Sequence, residues 1–185
     1  MAECVIFVEG SRKTDNGDLR NGFGRLLRQA KLLQMPLIVM CDDTHGAIRK
    51  FQQETAKTNS AFRRVLLLVD LDGPSASRAA WLAAHGLTPH EERIFFMVQK
   101  MEAWFLAQPV MVHDFYRPKL AHTLPKAAPE QVPHPDRVLE HCTIGTRKGR
   151  YHKTGHGALL LANLQLTDLQ ATFPDVVRLL EALYI

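Results

Sequence analysis

Four short, continuous apolar runs constrain the fold of this 185-residue chain more than any other feature. They lie at residues 4–8, 37–41, 65–69 and 94–98, and each consists wholly of apolar residues. None alternates apolar with polar residues, which is typical of strands that are buried on both faces of a parallel sheet. The runs therefore predict a mainly parallel sheet of about four strands, flanked by helices.

The segments between these runs carry helical patterns. Residues 19–33 place apolar side chains at spacings of three and four, which predicts an amphipathic helix. Thr44 is a candidate N-cap of a helix that contains Phe51. Ser75 or Ser77 is a candidate N-cap of a third helix. Strands that alternate with helices of this length predict a doubly wound α/β domain with right-handed crossovers.

The pattern changes after the fourth apolar run. Residues 100–107 predict a further helix, and residues 117–136 hold five of the ten prolines, which favours a surface loop. Two terminal helices are expected at about 156–164 and 174–183, the second with Pro174 in its first turn.

Length and composition favour one domain over residues 1–185. With 46% hydrophobic and 23% charged residues, the chain has the composition of a globular protein that forms one core. We place the core of this domain at about 1–108, and the proline-rich loop and helical C-terminal part at about 109–185. The division rests on the change of pattern after the fourth run.

The cysteine content indicates where in the cell the protein is located, and the charge indicates which partners it can bind. The three cysteines are odd in number and widely spaced, which predicts reduced thiols and a cytoplasmic protein. No apolar run approaches the roughly 18 residues of a membrane span, so no membrane partner is expected. The net charge of +4 permits a phosphate-bearing partner without requiring one.

Carboxylates follow two of the apolar runs. Glu9 and Gly10 follow the first, and Asp70, Asp72 and Gly73 follow the third. Ligands of open parallel sheets bind beyond the carboxyl ends of the strands. Residues two apart on an extended chain point to one side, so Asp70 and Asp72 are expected to face one site.

Carboxylates that are brought together repel one another unless a cation offsets their charge. Hard oxygen ligands suit Mg²⁺ or Mn²⁺, so the pattern predicts a divalent metal site at this edge. The alternative is that these acids cap helices or begin turns, as Asp before Gly often does.

A basic segment near the C-terminus is a candidate nucleic-acid contact. Arg147, Lys148, Arg150 and Lys153 occur there without an acid, so they are suited to neutralise backbone phosphates. Lys153 is also a candidate to stabilise charge on a scissile phosphate. The alternative is a solvated basic loop.

A second basic stretch near the N-terminus begins with Arg12 and Lys13. We include both residues as candidate contacts to nucleic acid. The competing interpretation is a solvated helix face, which is the more frequent role of such a stretch.

The motifs Val-Glu9-Gly10 and Val-Asp70-Leu-Asp72-Gly73 resemble the TOPRIM fold of topoisomerases, DnaG-type primases and OLD-type nucleases. Two further motifs, Glu102-Ala-Trp-Phe-Leu-Ala107 and Tyr151-His-Lys153, resemble a small stand-alone TOPRIM-like family that is catalogued as a domain of unknown function. Members of that family are often encoded beside an ATPase in bacterial anti-phage defence loci. The resemblance spans nearly the whole chain.

The resemblance implies a set of site residues. It makes Glu9, Asp70 and Asp72 ligands of Mg²⁺ or Mn²⁺, and Glu102 a ligand that completes a second metal site. It also implies that Lys153 acts on the phosphate, so the catalytic set consists of these five residues. The alternative for Glu102 is a helix N-terminal carboxylate that the helix dipole favours.

Two positions depart from the family pattern. Relatives usually carry another acid soon after the Glu-Gly pair, where this chain has Ser11-Arg12-Lys13. Relatives also often end the Glu-Ala-Trp helix with Asp, where this chain has Gln108. Both departures affect the second metal rather than the first.

The sequence therefore predicts a metal-dependent phosphodiesterase, a TOPRIM nuclease that acts on DNA or RNA as the effector of an ATPase-coupled anti-phage system. The alternative is a non-catalytic TOPRIM-fold subunit that binds or senses a ligand within an ATPase complex. A toxin-like effector that acts on RNA would share the chemistry of the nuclease.

Overall fold

A computed structural model of the chain describes residues 3–10 and 19–184. In that part of the chain, four strands form one sheet in which every neighbouring pair is parallel, in the order β2-β1-β3-β4. The strands are β1 (Cys4–Glu9), β2 (Leu37–Cys41), β3 (Arg64–Asp70) and β4 (Ile94–Met97). The predicted α/β class with a parallel four-stranded sheet is confirmed.

Helices cover both faces of this sheet and make up most of the C-terminal half. Within the described residues they are α1 (Leu19–Arg28), α2 (Thr44–Thr55), α3 (Arg78–Ala84), α4 (Glu102–Leu106), α5 (Pro109–Phe115), α6 (Pro135–Thr143), α7 (Lys153–Asn163), α8 (Leu166–Thr172) and α9 (Pro174–Tyr184). Short 3₁₀ helices lie at Ser75–Ser77, Thr88–Arg93 and Pro129–Gln131. None of the helices seen in residues 3–10 and 19–184 has both the length and the apolarity to span a membrane.

The hydrophobic core lies in two layers, one on each face of the sheet. Ile6 and Val8 of β1 belong to the layer that α1, α4 and the C-terminal helices cover. Val5 and Phe7 of the same strand belong to the layer under α2 and α3. Alternate residues of one strand are thus buried on opposite faces, which explains the continuous apolar runs.

Helix ends differ from the sequence predictions for local reasons. Helix α1 ends at Arg28 rather than at residue 33, because Lys31 has a φ of 53° that breaks the helix; Leu33 is fully exposed. Asp43, not Thr44, caps α2 by accepting a hydrogen bond from Gly46 N at 2.6 Å. Ser77 occupies the N-cap position of α3 without a capping bond.

The second half of the chain contains helices that the sequence did not predict, namely α5, α6 and α8. Helix α7 also begins at Lys153 rather than at 156, because the His152 side chain caps it by accepting a hydrogen bond from Gly155 N at 3.0 Å. The three cysteines are buried, and none forms a disulfide bond within the described residues. A cytoplasmic location stays a prediction.

Helices α1 and α7 approach each other closely at Gly22. A Cβ atom there would lie 2.8 Å from both Ala158 O and Leu161 Cβ. We expect Gly22→Ala to lower the free energy of unfolding by about 1–3 kcal/mol, because overpacking outweighs the better helix propensity of alanine. Gly24→Ala in the same helix is the matched control, since its nearest neighbour would be Arg28 Nη2 at 3.9 Å.

Urea unfolding of both variants tests this packing. Gly24→Ala should be neutral or stabilising by about 0.5–1 kcal/mol. Equal effects at the two positions would contradict the close α1–α7 contact. The contact matters for the site because α7 carries Lys153 as its first residue.

Candidate active site at the carboxyl edge of the sheet

Glu9 and Asp70 end the two central strands of the sheet. The crossover from β1 leads to β2 on one side, and the chain then returns to β3 on the other side of β1. The carboxyl ends of β1 and β3 therefore form the switch point where α/β sheets bind ligands. Glu9 Oε2 accepts a hydrogen bond from Asp70 N at 3.2 Å, which fixes the two residues side by side.

Gly10 allows the backbone to leave this edge. Its φ of +146° is unfavourable for other residues, and a Cβ would lie 2.9 Å from Leu19 Cδ1 and 3.0 Å from Met40 Cε. Its N–H donates to Cys41 O at 2.8 Å. The positive φ at position 10 and the lack of room for a Cβ atom therefore both require glycine.

Asp70 joins three elements. Its side chain is buried, and Oδ1 accepts a hydrogen bond from Met101 N at 2.8 Å, just before α4. Oδ2 forms an ion pair with Lys153 Nζ at 3.0 Å, at the start of α7. The end of β3 is thus tied to the beginnings of both helices.

Glu102, the first residue of α4, is only 1% exposed. Its Oε1 accepts a hydrogen bond from Tyr151 Oη at 2.7 Å, whereas its Oε2 is buried without a hydrogen-bond partner. Burial raises the pKa of Glu102, and Asp70 adds to this, against the opposing effects of Lys153 and Tyr151. A buried carboxylate oxygen without a partner is unfavourable unless a ligand satisfies it.

Lys153 is the ammonium that these carboxylates share. Burial alone lowers the pKa of Lys153, but Asp70, Glu102 and Glu9 outweigh burial and raise it well above the ordinary value. Lys153 is therefore not a solvated loop residue, since it lies in a helix and its side chain is about one-third exposed.

Glu9 has an unusual pKa. Burial raises the pKa of Glu9 to about 7, and the neighbouring charge of Asp70 contributes in the same direction. A hydrogen bond with the Thr44 side chain and the charge of Lys153 oppose the increase only in part. This carboxyl group therefore changes its protonation state near neutral pH, as groups at functional sites often do.

The backbone at Asp72 is not the extended strand from which a common orientation with Asp70 was predicted. The strand ends at Asp70, and Asp72 has a φ of 53°, so the alternation of an extended chain does not reach it. Its side chain is 61% exposed, with Lys100 Nζ at 3.8 Å. Desolvation and the charge of Asp70 raise the pKa of Asp72, so it lies at the rim of the carboxylate cluster.

The predicted nucleic-acid contacts are exposed residues just before α7. Arg147 and Lys148 lie in the loop between α6 and α7, and Lys148 Nζ lies 4.5 Å from the ring centre of Phe115. Arg150 forms an ion pair with Glu140. The predicted contacts Arg12 and Lys13 lie outside the described residues.

The structure places the carboxyl groups of Glu9, Asp70 and Glu102 close to one another and around the ammonium group of Lys153. Within residues 3–10 and 19–184, no group of three or more His, Cys, Asp or Glu side chains is arranged to hold a metal ion. The donors nevertheless suit Mg²⁺ or Mn²⁺ chemically, because all are carboxylate oxygens and Oε2 of Glu102 lacks a partner. Glu9, Asp70 and Glu102 also outnumber Lys153 and Lys100, whose ammonium groups interact with them.

Three contributors to the site were missed at the sequence level. Tyr151 positions Glu102, Thr44 binds Glu9, and the backbone of Met101 binds Asp70. The resemblance had marked Tyr151, although without a role. Gln108, where relatives often have Asp, exchanges hydrogen bonds with the backbone of Gln165 at 2.8 and 2.9 Å and so has a structural role.

The sheet and the carboxylates at its edge define an α/β protein of Rossmann-like architecture with a polar site at the switch point. The family model "Domain of unknown function (DUF4276)" matches residues 9–184. The chain therefore belongs to the DUF4276 family. No curated protein and no solved structure matches the chain.

Proposed function

We propose that this protein is a metal-dependent phosphodiesterase, a nuclease of TOPRIM type. The observation that carries the proposal is the buried cluster of Glu9, Asp70 and Glu102 around Lys153, with one carboxylate oxygen left without a partner. Concentrated like charge of this kind is unfavourable for stability and is typical of sites that bind cations. Its place at the β1–β3 switch point supports the same conclusion.

Each residue has a role in this proposal. Asp70, Glu102 and Glu9 would hold Mg²⁺ or Mn²⁺, with Asp72 at the rim. The bound ion would supply Lewis acidity and an activated water for in-line displacement at phosphorus. Lys153 donates hydrogen bonds to a phosphate oxygen as charge develops there.

Glu9 and the basic residues complete the proposed mechanism. The pKa of Glu9 is about 7 in the protein without a cation, and a bound Mg²⁺ or Mn²⁺ would lower it, so Glu9 would be an ionised ligand near neutral pH. Arg147, Lys148 and Arg150 bind flanking phosphates, and their effect weakens with salt. The TOPRIM resemblance further implies an ATPase partner and a role in anti-phage defence, which we include in the proposal.

The alternative is a non-catalytic subunit of an ATPase complex. One observation favours it: Lys153 pairs with Asp70 at 3.0 Å, so the carboxylates already have a counter-ion without any metal. In this alternative the same edge binds a ligand or a partner without cutting it.

The substitution Asp70→Asn tests the proposal. We expect calorimetry to show that the unaltered protein binds Mn²⁺. We also expect it to cleave plasmid DNA or tRNA with Mg²⁺ or Mn²⁺, alone or with the proposed ATPase partner. Asp70→Asn should abolish Mn²⁺ binding and reduce cleavage by about 10²–10³-fold, because a charged ligand of the cation is lost.

Asp114→Asn is the matched control, because Asp114 is an exposed partner of Arg117. It should change neither property. Full cleavage by Asp70→Asn would contradict the site assignment. Binding of Mn²⁺ with no cleavage of either substrate would favour the non-catalytic alternative.

A further inference from the structure

A cleft of about 810 Å³ opens beside Asp72, at the same edge of the sheet. Its walls are the loop after β3, the connection from β4 to α4, and the segment at residues 130–135. Its volume falls in the range of clefts that hold small ligands. None of the metal-site chemistry above requires such a cleft.

Backbone strain is concentrated in its walls. Asp72, Gln99 and His134 line the cleft, and their φ angles are 53°, 60° and 50°. Among the residues that the structure describes, the other non-glycine residue with positive φ is Lys31. Such conformations cost on the order of 1–3 kcal/mol each and cluster at ligand sites.

Hydrogen bonds hold the strained walls in place. Asp72 N donates to Gln99 O at 2.8 Å, and Gln99 N donates to Gly73 O at 2.9 Å. The Gln99 side chain donates to Glu130 O at 3.0 Å, which ties the strand-end loops to the opposite wall. The cleft is therefore built into the fold.

The charge of the cleft excludes a phosphate as its main occupant. Its lining holds the ammonium of Lys100 together with the carboxylates of Asp72 and Glu130. Lys100 is already paired with Asp136 at 3.0 Å and lies 3.8 Å from Asp72. The uncompensated negative charge of the cleft would repel an anion, whereas it would not repel a neutral group.

The rest of the lining suits a flat, neutral heterocycle. The rings of Pro74 and Pro133, the methyl group of Ala76 and the imidazole of His134 offer surfaces on which such a group can stack. Glu130 also lines the cleft, and a carboxylate can accept hydrogen bonds from exocyclic amino groups. Stacking combined with hydrogen bonds to the base edge is how proteins read unpaired bases.

We propose that this cleft binds one unpaired nucleobase next to the scissile phosphate. The inference rests on the proposed phosphodiesterase function and assigns its substrate class, which is single-stranded or locally unpaired nucleic acid. Lys100 lines the cleft, and the next residue, Met101, donates its N–H to Asp70 Oδ1 at 2.8 Å, so the cleft adjoins the carboxylate cluster. A base in the cleft would therefore place its own phosphate towards these carboxylates and Lys153. A base within a duplex cannot enter unless it is flipped out.

Two tryptophan substitutions test the cleft. Ala76 and Ala79 are both exposed, but Ala76 lines the cleft and Ala79 does not. The probe is a fluorescently labelled ten-nucleotide single strand, compared with a blunt duplex of the same length, with Ca²⁺ in place of Mg²⁺. Anisotropy measures binding, and thermal melting shows that both variants are folded.

We expect the unaltered protein to bind the single strand at least tenfold more tightly than the duplex. Ala76→Trp should weaken binding of the single strand at least tenfold, and Ala79→Trp should change it less than twofold. Equal binding of both probes, or no effect of Ala76→Trp, would overturn the cleft assignment.

The cleavage assay separates this inference from the proposed function. Metal-dependent cutting of duplex and single strand at equal rates, unaffected by Ala76→Trp, would uphold the phosphodiesterase and overturn the cleft assignment. Single-strand binding that Ala76→Trp weakens, in a protein that cuts with neither metal, would support the cleft and contradict the phosphodiesterase.

Discussion

Glu9→Gln is expected to make the protein more stable at about pH 8, by on the order of 3 kcal/mol. The pKa of Glu9 rises from an ordinary 4.5 to about 7 in the folded protein, first because it is buried and second because Asp70 is near. The folded state therefore disfavours the ionised carboxylate relative to the unfolded chain. A glutamine keeps the oxygen that accepts the Asp70 N–H but carries no charge.

The pH dependence follows from the same shift. Below about pH 4.5 Glu9 is protonated in the folded and the unfolded state, so it does not change the free energy of unfolding. As pH rises towards 7, Glu9 ionises first in the unfolded chain, so the free energy of unfolding falls. Above about pH 7 the loss is complete and constant. Glu9→Gln should remove the part of the decrease in the free energy of unfolding that Glu9 causes. Urea unfolding between about pH 4 and 8 measures this decrease.

The same substitution should abolish Mn²⁺ binding and cleavage, because the carboxylate that lowers stability is one that would hold the cation. A gain in stability with a loss of function is the pattern expected at an active site. Glu3→Gln is the control, since Glu3 is exposed and lies 3.9 Å from Arg63. A Glu9→Gln protein no more stable than the unaltered one at about pH 8 would contradict the raised pKa.

The sheet could be predicted from the sequence because its strands are buried on both faces. Because both faces are buried, polar and apolar residues do not alternate, and each strand appears in the sequence as a continuous apolar run. The predicted bounds of β2 match the structure. The short helices α5, α6 and α8 could not be predicted in the same way. They have seven to nine residues and owe their stability to tertiary packing, as fully buried Leu139 and Leu169 show.

The site could be predicted in part. That Glu9 and Asp70 meet follows from the rule that parallel strands end at one edge, and the structure confirms it. The extended backbone expected at Asp72 was wrong, because β3 ends at Asp70 and Asp72 has a φ of 53°. The ion pair between Asp70 and Lys153 joins residues 83 positions apart, so no local pattern indicates it.

Lys153→Met is expected to destabilise the protein by about 3–5 kcal/mol at about pH 8, because it leaves buried carboxylates without their ammonium. Asp70 then loses its ion-pair partner, and the repulsion among Asp70, Glu9 and Glu102 is no longer offset. Cleavage should fall by about 10²–10³-fold, since the group that stabilises charge on the phosphate is absent.

The loss of stability should depend on pH. Lys153 has a raised pKa and is charged in both states across the accessible range, so its partners set the dependence. As pH falls, Glu9 and Glu102 take up protons, because the pKa of each is raised, and the repulsion among the carboxylates decreases. The penalty of Lys153→Met should therefore be smaller at about pH 5 than at about pH 8.

Divalent cations provide a further measurement that does not require catalysis. If the carboxylates hold Mn²⁺, the ion replaces the charge of the missing ammonium, and Mn²⁺ should raise the Tm of Lys153→Met more than that of the unaltered protein. Lys57→Met is the control, because Lys57 pairs with Glu54 on the surface and its loss should cost less than about 0.5 kcal/mol. A Lys153→Met protein that melts like this control, at every pH and with or without Mn²⁺, would contradict a shared ammonium among ionised carboxylates.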